Sequence, residues 1–137
     1  MEQALKSPRF VAIFLYLFLG LYWLTLFFEW HKTFLWFDGL LHFLGGVWLA
    51  AFFGYALIRF DLAFVDRRFW VKLILGLGFV ALVGVLWELH EFAADLYLKD
   101  KAFMQPDLQD TMFDLALDLL GGFIFFILCR IAQKPLS

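Results

Sequence analysis

Charged residues are so sparse along this chain that the gaps between them define its architecture. Phe10 to Phe28 is a run of 19 residues without a charge, about 28 Å of helix and enough to cross a bilayer core. A second apolar stretch runs from about Phe37 to Ile58. A third starts at about Phe69, is apolar to Trp87 and continues as helix to about residue 91, with Lys72 close enough to its start to snorkel. A fourth covers about residues 111–130. The pattern predicts an all-α fold: an integral membrane four-helix bundle made of two helical hairpins. It forms one membrane domain over residues 1–137, with spans at about 10–28, 37–58, 69–91 and 111–130.

Composition supports lipid over water as the solvent. The chain is 64% hydrophobic and 22% aromatic, with a mean hydropathy of +0.83, whereas soluble domains are about 45–50% apolar. A soluble core of this length could not hide 20 Phe and 6 Trp. The single cysteine, Cys129, excludes a disulfide framework and a cysteine-based metal site. The first apolar run is too long for a signal-peptide core and no A-x-A-like site follows, so this span is expected to be retained.

The basic residues orient the chain. Lys6, Arg9, Arg59, Arg67, Arg68, Lys72, Arg130 and Lys134 fall on one side, and only Lys32, Lys99 and Lys101 on the other. The positive-inside rule then places both termini in the cytoplasm. Of the 13 acidic residues, all but Glu2, Asp61 and Asp66 lie at or beyond the outer ends of the spans. Acidic residues hardly influence topology, so their clustering needs another cause.

That cause lies in helix phase. Asp38, His42 and Gly45 share one helical stripe. Asp110, Asp114, Asp118 and Gly121 share a second, and Gly84, Glu88, Glu91 and Asp95 a third if span three continues past Trp87. All three stripes reach the outer depth zone, and each carries a glycine, which lets helices approach closely in lipid. The polar faces are therefore expected to meet one another. The stretch FDGLLHFLGG (37–46) is echoed by FDLALDLLGG (113–122), identical at six of ten positions, with His42 aligned to Asp118. An E-x-H precedes each, at Glu29–His31 and Glu88–His90. Such an echo suggests a parallel repeat about an axis along the membrane normal. Chance in a Leu/Phe/Gly-rich chain is the plain alternative.

Three readings of the polar cluster compete. Asp38, Asp110 and Asp114 could cap helix N-termini, and Asp110, just before Thr111 and after Pro106, is read as a cap. Capping explains neither Asp118 and His42, a turn deeper, nor Glu88 and Glu91, which approach a C-terminus. A protonated carboxylate network could glue the bundle. The preferred reading is a bound cation, because the stripes hold several carboxylates, one imidazole and no basic residue. Oxygen donors with one histidine suit a divalent metal without fixing its identity. Its ligands would be Asp38, His42, Glu88 and Asp114, with Glu91 or Asp118 as general base. His31 and His90 read as interfacial histidines, and Trp23, Trp30, Trp36, Trp70 and Trp87 as an aromatic belt. Trp48, mid-span, is expected to pack. The loop from about 92 to 109, with Lys99, Lys101 and Pro106, is long enough to cover the site.

The set Asp38-x3-His42-Phe43-x-x-Gly46, Trp87-Glu88-x-x-Glu91, and Asp110-Thr111-x-x-Asp114 with Gly121-Gly122 resembles the YjdF-like bacterial inner-membrane family of unknown function. More distantly it resembles the VanZ-like membrane proteins, whose prototype is linked to teicoplanin resistance. The likeness spans about residues 35–125, and Met112 departs from it where a polar residue is expected. It implies a bacterial inner-membrane location and no settled activity. Two classes of function stay open. One is a metal-dependent hydrolase or transferase acting on a membrane lipid or a lipid-linked envelope substrate. The other is a non-enzymatic ion-binding or envelope-stress protein, or a bundle whose acids only stabilise helix packing. No nucleic-acid partner is expected. A homodimer is compatible with four spans that bury little. A proton or cation relay would need ionisable groups at mid-membrane or on the inner side, where the spans offer almost none.

Overall fold

The computed structural model describes residues 7–28, 30, 34, 36–62, 65, 68–98 and 107–132. They form four helices, each long and apolar enough to cross a membrane: α1 (Pro8–Phe27), α2 (Trp36–Arg59), α3 (Phe69–Leu98) and α4 (Leu108–Ala132). Local chemistry fixes their ends. Ser7 precedes Pro8, so α1 starts with a capping residue followed by the imino acid that tolerates the first helical position. Asp107 caps α4, its Oδ1 accepting the Asp110 amide at 3.0 Å. Asp110, read from the sequence as the cap, instead sits inside the helix, in its first turn. The α2 C-terminus closes with Asp61 at φ 53° and the Leu62 amide donating to the Leu57 carbonyl at 2.9 Å, a Schellman arrangement. Two further turns carry α3 beyond Glu91 to Leu98, so Glu88 and Glu91 are interior to a helix and not at its end.

The helices differ greatly in burial. α2 and α4 make the most extensive contact, α3 packs against both, and α1 leans mainly on α2. α1 is bound partly through Trp48, whose indole N–H donates to the Val11 carbonyl at 3.1 Å. Most of α1 stays exposed, Tyr16 at 73% and Trp23 at 66%. On a water-soluble protein this apolar display would be a liability; in lipid it is the ordinary condition of a helix surface.

α2 and α4 run parallel, as alternate helices of an up-and-down bundle do. Side by side they bring the two FD segments to one depth. A Cβ added at Gly46 would collide with the carbonyl oxygen of Asp118, and one at Gly121 with that of Phe43. Backbone therefore meets backbone at two reciprocal places. The residue making this contact on α2 is Gly46, one position round the helix from Gly45, the glycine of the polar stripe. Beyond this crossing the packing changes character. Leu49, Ala50, Leu73, Val80 and Phe126 form an apolar core, with Phe53 and Phe79 packed against it. At the far end the Arg130 guanidinium lies over the Phe69 ring, 4.1 Å from its centroid.

Candidate functional site

The polar side chains converge at the end of the bundle where α2 and α4 begin. Phase explains the convergence. Asp38 and His42 share one face of α2, Asp110, Asp114 and Asp118 one face of α4, and Glu88 and Glu91 one face of α3. His42, Glu88, Glu91, Asp114 and Asp118 are each at least nine-tenths buried. Asp38 and Asp110 are half-buried. Burying this many carboxylates beside one imidazole is costly unless protons or a cation balance them.

His42 is the centre. Its Nδ1 stands 3.3 Å from Asp118 Oδ2, across the α2–α4 contact, and an ionised Asp118 can only accept there, which selects the ring form with a proton on Nδ1. A neutral ring that donates from Nδ1 keeps its lone pair at Nε2. That nitrogen is buried and has no hydrogen-bond partner among the described residues. It stands 3.8 Å from Glu88 Oε1, too far for a hydrogen bond. Two ligand atoms about 2.1 Å from a common ion lie at most about 4.2 Å apart, so the gap is of the size a metal ion bridges. Gly84 leaves room for this arrangement. A Cβ there would stand 2.5 Å from Asp118 Oδ2, displacing the carboxylate that holds the histidine.

Around His42 the ligand atoms fall into three overlapping sets, each with one donor atom per residue within 4.8 Å of the others: Asp38–His42–Glu91, His42–Glu88–Asp114 and Asp38–Asp110–Asp114. The four ligands expected from the sequence are thus brought together, but no single set holds all four. Glu91 and Asp118, both expected as bases, are separated in role by their partners. Glu91 Oε1 accepts the Trp87 indole N–H at 2.9 Å, while Asp118 is engaged with His42.

Two residues enter the site that their sequence signals had assigned elsewhere. Trp87, grouped with the aromatic belt, orients Glu91 and meets Tyr22 of α1 edge-on at 5.3 Å; its i, i+4 spacing to Glu91 was the available signal. Asp110, grouped with the caps, joins Asp38 and Asp114; the i, i+4 stripe it shares with Asp114 had marked it. His90 is exposed, with its ring 5.4 Å from that of Trp87. Glu29, His31, Lys99, Lys101 and Pro106 lie outside the described residues.

Two cavities flank the cluster. One, of about 220 Å³, opens between α1 and the α2–α3 pair; Leu15, Phe18, Leu19 and Tyr22 form one side and Asp38, His42 and Asp118 lie on the other. The second, of about 350 Å³, lies between the first turns of α2 and α4 and is lined in part by Trp36, Phe43, Asp110 and Asp114.

A membrane bundle with this motif order has relatives. Residues 2–135 match a family described as predicted membrane protein, DUF2238. The chain belongs to that family. Membership accords with the YjdF-like resemblance of the motif and establishes a membrane protein whose family description carries no activity. An uncharacterised protein of Thermotoga maritima (strain MSB8) is 40% identical over 96 residues, covering 66% of this chain and 45% of the relative. The chain therefore matches less than half the length of that relative. No solved structure matches.

Proposed function

We propose that this DUF2238 protein binds a divalent cation at the polar end of its bundle and uses it for hydrolysis or group transfer on a lipid or lipid-linked envelope substrate. Orientation by the positive-inside rule would turn that end to the outer face of the bacterial inner membrane. The observation that carries the reading is His42 itself. Asp118 fixes the ring through Nδ1, and the bare Nε2 faces Glu88 across a metal-sized gap. A carboxylate behind a metal-binding histidine is the usual device for setting its tautomer and orientation.

His42, Glu88 and Asp114, the fully buried set, would hold the ion. A bound divalent cation polarises a carbonyl or phosphoryl oxygen and makes its water a better nucleophile. Glu91, which accepts the Trp87 indole N–H, would serve as general base. Asp118, paired with His42, acts as a positioning residue. The 220 Å³ cavity supports a lipidic substrate, because an apolar wall from α1 meets Asp38, His42 and Asp118 in one space. The distant VanZ-like likeness also favours an envelope role.

Metal content of tag-free, detergent-purified protein tests this. One or more equivalents of Mn²⁺ should remain after desalting, and His42→Ala should abolish retention at the buried set. Asp118→Asn should weaken affinity roughly 10–100-fold. Chelator should stop headgroup release from bacterial polar-lipid vesicles followed by mass spectrometry. Protein that retains no metal overturns the proposal. The non-enzymatic alternative draws on the same His42–Asp118 bond, which joins α2 to α4 where they are closest. On that reading His42→Ala lowers thermal stability, and neither metal nor chelator changes the wild type.

A further inference from the structure

We infer that the polar end is built for two cations bridged by a carboxylate. This rests on the single-ion reading above and extends it. The three ligand sets are not equivalent. Asp38–His42–Glu91 and His42–Glu88–Asp114 both need the histidine. Because Asp118 takes the Nδ1 side, His42 has one free lone pair to give, at Nε2. These two sets are therefore alternative seats for one ion.

The third set, Asp38–Asp110–Asp114, makes no demand on His42. It shares Asp114 with one histidine set and Asp38 with the other, so whichever seat the first ion takes, one carboxylate is common to both ions. A carboxylate has two oxygens and can ligate two metals at once, which an imidazole with one lone pair cannot. Two-metal centres of this kind hold their ions about 3.5–4 Å apart.

A second observation points to a ligand at the third set. Asp114 is 3% exposed and lines the 350 Å³ cavity together with Asp110, while the buried His42 Nε2 beside it has no hydrogen-bond partner among the described residues. A carboxylate taken out of bulk solvent beside an unpartnered imidazole nitrogen is costly unless something balances its charge. The cavity beside it has room for the waters that a hard divalent cation retains. Charge balance points the same way. The three sets hold five carboxylates and Asp118 is a sixth. With all six ionised, one divalent ion would leave four negative charges for protons to balance, and two ions would leave two.

Mn²⁺ provides the test, using the full chain without a tag. After loading and desalting, elemental analysis should give two Mn per wild-type chain, and electron paramagnetic resonance should show a spin-coupled pair. Asp110→Asn, a near-isosteric change at a half-buried position, should leave one Mn with an uncoupled six-line signal. His42→Ala should also leave one. One Mn in the wild type, unchanged by Asp110→Asn, overturns the pair while sparing the single-ion proposal. Two Mn that persist in Asp110→Asn overturn the assignment of the second seat. No retained Mn overturns both readings. Asp107→Asn, at the cap just outside the set, serves as the control and should retain two.

Discussion

The two ends of this bundle are built from the same four helices by opposite means. At the polar end, α2 and α4 approach until backbone touches backbone, with Gly46 against Asp118 and Gly121 against Phe43. At the apolar end the contact is made through side chains, with Ala51 against Cys129 and Phe126 filling the space among Leu73, Val80 and Phe53. Side-chain interdigitation is sufficient to associate helices in lipid, and the apolar end shows that this chain uses it. Closer approach is needed only where short side chains from different helices must reach one another. Asp118 spans the interface to His42 at 3.3 Å because no Cβ stands between the two helices there. Glycine at the polar end is thus a means of placing charge, and phenylalanine at the other end is a means of filling volume.

The comparison breaks most completely at Gly46. Gly46→Val would drive a branched side chain into the Asp118 main chain, which cannot rotate away. The two helices must separate, with a loss of about 3 kcal/mol or more and of the His42–Asp118 bond with it. Thermal unfolding in detergent, followed by circular dichroism, should show a much lower midpoint or no cooperative transition. A Gly46→Val protein with the wild-type midpoint would mean that the helices are not in backbone contact at this level.

Phe126→Ala probes the other end with a smaller effect. Phe126 is 2% exposed, and its removal leaves a cavity. In lipid the lost energy is mostly dispersion, since lipid tails compete for the same apolar surface. About 2 kcal/mol is expected, below the roughly 3–5 kcal/mol of a Phe→Ala change in a water-soluble core. The two ends should respond separately: the unfolding midpoint falls, while Mn²⁺ retention at the polar end stays as in the wild type. Loss of Mn²⁺ in Phe126→Ala would show that the apolar core sets the geometry of the site, and the division between ends would have to be abandoned.

Sequence pattern disclosed the two ends unequally. The four helices follow from uncharged run length, a coarse quantity that chance seldom produces. The meeting of three polar stripes follows from helical phase, and His42, Glu88, Glu91, Asp114 and Asp118 are all buried together as phase required. Helix ends were harder to read, because cap and site compete for the same residue types. Asp107 and Asp110 stand three apart at the start of one helix, and only the amide hydrogen bond to Asp107 decides which is the cap. The division of ligands into overlapping sets depends on side-chain reach across helices, which no spacing within one helix encodes. Trp87 was hidden by composition: among many interfacial aromatics, nothing but its i, i+4 relation to Glu91 distinguished it.

The smallest expected effect concerns the closure of the apolar end. Arg130, in the last turn of α4, lies over Phe69 in the first turn of α3, 4.1 Å from the ring centroid, with Trp70 at 5.6 Å. The same arginine complements the negative end of the α4 dipole. A cation over an aromatic face at an exposed site contributes about 0.5–1 kcal/mol, so Arg130→Gln should lower the unfolding midpoint by less than Phe126→Ala does. Phe69→Leu in a double-mutant cycle separates the two contributions, since only the ring contact couples the pair. A coupling near zero would leave the dipole as the sole role of Arg130. A loss as large as that of Phe126→Ala would make the end contact a principal clamp between α3 and α4, and the apolar end would then rely on a charge as the polar end does.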